Sequence, residues 1–138
     1  MKNIIALFND INSKFVELFN KSMNNIENVT SDEKCYLNII YELNKTTLTR
    51  FAQIAKVTKP AATQIINKLI NKGLVIKNTS DKDHRVCYIE LTEEIKKLFK
   101  ECYNQLNKMY SDCLSFLTEE EINEFSGLLI KINDNIKT

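Results

Sequence analysis

Tryptophan is missing from this 138-residue chain, histidine and proline each occur once, and glycine occurs twice. Glycine and proline are the residues that interrupt helices, so their scarcity predicts a mostly α-helical protein. With His84 as the single histidine, a histidine-rich metal site is excluded, and no metal or other cofactor is expected. A glycine-rich phosphate loop, a nucleophile elbow and inward-paired carboxylates at a recognisable spacing are all lacking, which speaks against an enzyme. The opening run MKNIIALFNDINSKF carries Asp10 and polar residues at every turn. It has neither the apolar stretch of a signal peptide nor the length of a membrane span, so a cytoplasmic protein with no membrane partner is expected. Four cysteines, Cys35, Cys87, Cys102 and Cys113, show no CxxC or finger spacing. Free thiols buried as small apolar residues are the expectation for all four.

Net charge is only +1, but it is unevenly distributed. Residues 56–85 hold Lys56, Lys59, Lys68, Lys72, Lys77, Lys82 and Arg85 against Asp81 and Asp83, a net +5 that leaves −4 for the remainder. A basic segment on an acidic body is the electrostatic footprint of a polyanion binder.

Apolar residues Ile4, Phe8, Ile11, Phe15, Leu18, Phe19, Met23 and Ile26 recur every three or four positions and predict a long amphipathic helix over residues 2–27. A second helix is expected from an N-cap at Ser31 or Asp32 to about Asn44, and a short third from Leu48 to Ala55. In the fourth, Thr58 is the N-cap candidate, Pro60 stands in the first turn and Gly73 is the expected stop. Leu74–Thr79 and Arg85–Leu91 read as a β-hairpin around the tip Ser80-Asp81-Lys82-Asp83-His84. Thr92 caps a long helix to about Phe116. Thr118-Glu119-Glu120-Glu121 is a capping box for a last helix, whose stripe is Ile122, Phe125, Leu128, Leu129, Ile132 and Ile136.

Residues 48–67 also fit a helix-turn-helix, with Phe51, Ala55, Val57, Ala62 and Ile65 at the crossing, Ala52 where backbones approach, and Lys56 where the turn often has glycine. On a helical wheel Ala62, Ile65, Ile66 and Leu69 share one side of the fourth helix. Pro60, Thr63, Gln64, Asn67 and Asn71 share the other, flanked by Lys59 and Lys68. Amides can make bidentate contacts to adenine edges, threonine can meet a thymine methyl, and lysine can reach guanine or phosphate, so this face carries the chemistry of major-groove reading.

The run 48-LTRFAQIAKVTKPAATQIINKLINKGLVIKNTSDKDHRVCYIELTEE-94 resembles the DNA-binding core of MarR-type transcriptional regulators. Lys68-Leu69, Lys72-Gly73-Leu74-Val75, Asp83-His84-Arg85 and Leu91-Thr92 fall in that family's order and spacing. Two departures are His84, where a second arginine is most frequent, and Glu94, where glycine is frequent. The resemblance implies one domain over 1–138: a winged helix-turn-helix core at 31–92, with dimerisation helices at 1–30 and 93–138. It also implies that Lys59, Pro60, Thr63, Gln64, Asn67 and Lys68 meet DNA together with Lys77, Lys82, Asp83, His84 and Arg85 of the wing. Arg85 would enter the minor groove, oriented by Asp83 through a charge-assisted hydrogen bond.

The apolar stripes near both ends exceed what one small core can cover, so a homodimer is expected, with reading helices about 34–36 Å apart on a palindromic operator. MarR-like regulators often bind a small aromatic or lipophilic ligand between these parts. Phe15, Phe19, Tyr36, Tyr41, Tyr103 and Tyr110 are the candidate lining, with core packing as the competing reading. The expected function is a repressor released by such an effector. The alternatives are a thiol-based redox sensor, with Cys35 at a helix start as its first candidate, and a winged-helix interaction module without DNA binding.

Overall fold

The computed structural model describes residues 2–136. In chain order the elements are α1 (Lys2–Met23), α2 (Ser31–Leu43), α3 (Leu48–Ala55), α4 (Lys59–Asn71), β1 (Val75–Thr79), β2 (Cys87–Leu91), α5 (Glu93–Leu114) and α6 (Glu119–Asn135). The fold is that of a winged helix-turn-helix: mostly α, with one antiparallel hairpin in which Val75 pairs with Leu91 and Thr79 with Cys87. Among the described residues no helix is long and apolar enough to cross a membrane.

Local chemistry accounts for most boundaries. Thr58 caps α4 by accepting the Ala61 N–H, with Pro60 in the first turn, and Gly73 leaves the helix at φ +71°. Thr118 and Glu121 form the reciprocal box that opens α6. Two expectations are corrected. The N-cap of α2 is Thr30 rather than Ser31 or Asp32, because Glu33 is the residue that returns a carboxylate to the cap's own N–H. Helix α1 stops at Met23, short of residue 27, where the chain turns through Asn24-Asn25 and Asn28 takes φ +58°. Asparagine is a poor helix interior residue and tolerates positive φ.

The chain divides into two compact units within α5, one running to Tyr103 and the other beginning at Asn104. The first unit holds the main core, in which Leu37, Ile40, Phe51, Ala62, Ile66, Leu69, Val75, Ile89, Leu91 and Phe99 are buried. Ile65 lies at its margin, half-buried. Thr46 adds a one-residue third strand: its N–H donates to Ile89 O at 3.0 Å and its carbonyl accepts the Ile89 N–H at 2.7 Å. That bridge ties the wing to the segment between α2 and α3. Lys56 occupies the turn at φ 55°, ψ 42°, the left-handed conformation that glycine would take without cost. In the second unit no α6 residue is buried, and Phe125, Leu128, Leu129 and Ile132 form an exposed apolar stripe.

Candidate nucleic-acid interface

Helix α4 is oriented by its buried side. Ala62, Ile66 and Leu69 are fully enclosed, which turns Lys59, Pro60, Gln64, Asn67 and Asn71 outward into solvent. Thr63 is half-buried, and its hydroxyl donates to Lys59 O at 3.0 Å, so its methyl is the part left for apolar contact. The expected reading face is therefore assembled on one rigid element.

The wing tip is tied by its own side chains. Ser80 Oγ accepts the N–H groups of Lys82 (3.3 Å) and Asp83 (3.4 Å). The Asp83 carboxylate accepts the backbone N–H of Arg85 at 3.0 Å. Asp83 thus shapes the turn, and among the described residues no ion pair joins it to the Arg85 guanidinium, contrary to the expected charge-assisted bond. A two-residue separation favours such an Asx-type turn over a side-chain pair. Asp81, Lys82, His84 and Arg85 are exposed. At the wing's base the Lys77 ammonium donates to Asn67 Oδ1 at 3.3 Å, which joins the hairpin to the outward face of α4.

Sequence reasoning missed Glu33. The residue is 5% exposed, yet its side chain receives the Thr30 N–H at 3.0 Å and the Lys72 ammonium at 2.7 Å on Oε2. The Lys68 ammonium lies 2.9 Å from Oε1 as an ion contact without hydrogen-bond alignment. Burial alone would raise the Glu33 carboxyl, but the bonds from Lys72 and Thr30 and the Lys68 charge outweigh it and hold the group at about 2, against an ordinary 4.5. The signal was present in Thr30-Ser31-Asp32-Glu33, the same Thr-x-x-Glu spacing that is legible at Thr118-Glu121. Lys68, expected to flank the reading face, is thereby committed to a carboxylate.

Tyr41 stacks on Phe99 (5.2 Å between centroids) and on Tyr103 (5.1 Å), whereas Tyr36 meets Phe51 edge-on. The Tyr103 hydroxyl donates to Asn38 Oδ1 at 2.7 Å; burial and the neighbouring Glu42 carboxylate push its pKa to about 12. Beside Tyr41 is a small cavity of about 120 Å³ lined also by Asn44, Leu91, Lys96 and Lys100. Phe15 and Phe19 are half-buried on α1, and Tyr110 is exposed in the second unit.

Of the four thiols only Cys102 is buried, and burial pushes its pKa up. Cys35, Cys87 and Cys113 are exposed, which corrects the expectation of packed cysteines. Cys35 and Cys87 follow from their positions: Cys35 points away from the Leu37 and Ile40 side of α2, and Cys87 begins β2 at the turn end of the hairpin, next to the exposed wing tip. Cys35 is the fifth residue of α2, beyond the first turn whose free N–H groups favour an anion.

The fold is shared with solved proteins. YusO from Bacillus subtilis superposes with a TM-score of 0.70 at 24% identity, over 99% of this chain and 96% of that one. S. aureus MepR, solved with ethidium bromide, gives 0.73 at 21% identity over 96% and 95%. In sequence, the B. subtilis (strain 168) protein YwaE, an uncharacterized HTH-type transcriptional regulator, is 25% identical over 89 residues. That match takes in 64% of this chain and 52% of YwaE, so the chain spans about half the length of the curated relative it matches. The family model of the transcriptional regulators SarA/Rot matches residues 17–102, from the middle of α1 through α4 and the hairpin into α5. With that span and a winged fold around it, the chain belongs to the SarA/Rot family of transcriptional regulators, the MarR-like kind that its motifs resemble.

Proposed function

We propose that this protein is a sequence-specific double-stranded DNA-binding regulator acting as a homodimer in the cytoplasm, a repressor released by a small effector. The observation that carries the reading is the outward face of α4, where Gln64 and Asn67 stand exposed beside a wing that presents Arg85. Two solved relatives of this fold support it. A MepR mutant of S. aureus was solved with an oligodeoxyribonucleotide (TM-score 0.63), and NadR with 4-hydroxyphenylacetate (0.56). The Tyr41–Phe99–Tyr103 stack, with Lys96 and Lys100 at the adjoining cavity, is the part of this chain that suits a small aromatic ligand.

The deciding experiment is titration with duplexes selected from a random pool. Affinity is expected to fall with salt at about 0.9 log units per log unit for each phosphate neutralised. Gln64→Ala and Asn67→Ala are each expected to relax preference at particular base pairs by about 1–3 kcal/mol, because each removes a donor–acceptor pair aimed at a base edge. Losses that are uniform across sequences would show that these amides do not read bases.

Arg85→Ala tests the wing. An arginine in a narrow A·T-rich minor groove sits in concentrated negative potential, so the variant is expected to lose more affinity for A·T-rich than for G·C-rich flanks. Because Arg85 is exposed, its folding stability should change by less than about 0.5 kcal/mol. Equal losses on both flanks would reduce the residue to a phosphate contact.

A further inference from the structure

A groove-reading helix gains non-specific affinity from every lysine on its flank, yet here one of them is held by a buried carboxylate. Lys68 lies beside Asn67 on α4, and its ammonium is 2.9 Å from Glu33 Oε1. Lys72, one turn on, donates to Glu33 Oε2 at 2.7 Å and to Asn28 O at 2.6 Å. Glu33 is itself anchored by the Thr30 N–H. The C-terminal half of α4 is thus locked to the turn that leads into α2 by charge, separately from the apolar contacts of Ile66 and Leu69.

We propose that Glu33 is a positioning and specificity-determining residue: it withholds Lys68 from the DNA backbone and, with Lys72, sets the angle at which α4 presents Gln64 and Asn67. The inference rests on α4 being the duplex-reading helix. Its physical basis is that a phosphate contact adds affinity for every sequence alike, whereas amide contacts to base edges add it for one. Neutralising a flank lysine therefore lowers affinity for every duplex alike, while the angle of α4 decides how well the amides meet one sequence. An exposed lysine pairs weakly with a surface carboxylate. Glu33 is different because its burial leaves the carboxylate dependent on both lysines, so giving Lys68 up to a phosphate would strand part of its charge.

Salt titrations of duplex binding separate this from a purely structural role. Glu33→Gln keeps an amide oxygen for the Thr30 N–H and removes the charge. It is expected to bind an unrelated duplex about eightfold more tightly per protomer at 0.1 M salt, with log K against log[salt] steeper by about 0.9. Operator affinity should rise by less than that factor, because α4 no longer presents Gln64 and Asn67 at the angle Glu33 sets, so preference over the unrelated duplex falls. Lys68→Ala in the wild-type background, a change at an exposed side chain that threatens no core, should leave the slope unaltered. The same change in Glu33→Gln should return the slope to the wild-type value. A merely structural Glu33 would lower affinity without steepening the slope. If Lys68→Ala flattens the wild-type slope by about 0.9, or Glu33→Gln leaves it unchanged, the proposal is overturned while α4 stands as the reading helix. Absence of duplex binding by the wild type would overturn both.

Discussion

Phe8→Glu and Leu129→Glu are each expected to turn a homodimer into a folded monomer and to lower operator affinity at least 100-fold. Phe8 is 51% exposed on α1 and Leu129 41% exposed on α6, so neither change enters a core that the single chain forms. Around them lie Ile4, Ile5, Leu7 and Ile11 on α1, and Phe125, Leu128 and Ile132 on α6 with Ile136 at its C-cap, all exposed. Fully burying such a side chain is worth about 1.5–3 kcal/mol, so stripes of this length are a large unfavourable surface in a lone chain. A second copy related by a two-fold axis would cover each stripe with apolar surface, and a buried unpaired carboxylate there would oppose association by several kcal/mol. Two half-sites held by one dimer gain from effective concentration, which is why affinity should collapse when the protomers separate. Sedimentation and duplex titration of the two variants give the answer. A wild type that is monomeric at micromolar concentration, or variants that remain dimeric, would remove α1 and α6 from the interface.

Acid is expected to destabilise the protein over a window that Glu33 defines. Its pKa is about 2 in the folded chain against 4.5 as a free side chain. Folding therefore gains from the ionised, bonded carboxylate above about pH 4.5, and loses that gain progressively as the pH falls towards 2. Discounted for the exposure of Lys68, the contribution is on the order of 2–3 kcal/mol. Glu33→Gln should flatten the fall in stability across this window, as read by urea unfolding at pH 7, 4 and 3. At pH 7, Lys72→Ala is expected to cost about 2–4 kcal/mol, because it strips the shorter contact from a buried carboxylate and also frees Asn28 O. Lys68→Ala should cost less than Lys72→Ala, since that side chain is 61% exposed against 28% for Lys72. Parallel pH profiles for wild type and Glu33→Gln would show that other groups govern acid unfolding.

Most of the architecture was legible because it is written in local terms. Threonine caps at 58 and 118, proline in the first turn of α4, glycine at 73 and apolar residues at helical spacing each act within one or two turns of chain, so order along the sequence is enough to read them. The same holds for the outward face of α4: once Ala62, Ile66 and Leu69 are assigned to the core, helical geometry leaves Gln64 and Asn67 on the opposite side. The hairpin's place came from its flanking β-branched and apolar runs.

What the chain kept back depends on groups far apart in sequence. Glu33 and Lys72 are 39 positions apart, and Thr46 meets Ile89 only because the hairpin folds back past the end of α2. No periodicity reports such pairs, since a buried charge is recognised by its partners, and those are brought near only by the packing of α2 against α3 and of α3 against α4. Exposure of a small thiol is equally non-local: Cys35 and Cys102 have the same side chain, and one is outside and the other inside because of which helix face found a neighbour. Sequence alone determined the helices, their caps, the wing and the polar face that α4 turns outward. Tertiary packing decided which of the lysines near that face are free to meet a polyanion and which is held by a carboxylate, because the strength of a charge contact is set by burial and distance in space rather than by order along the chain.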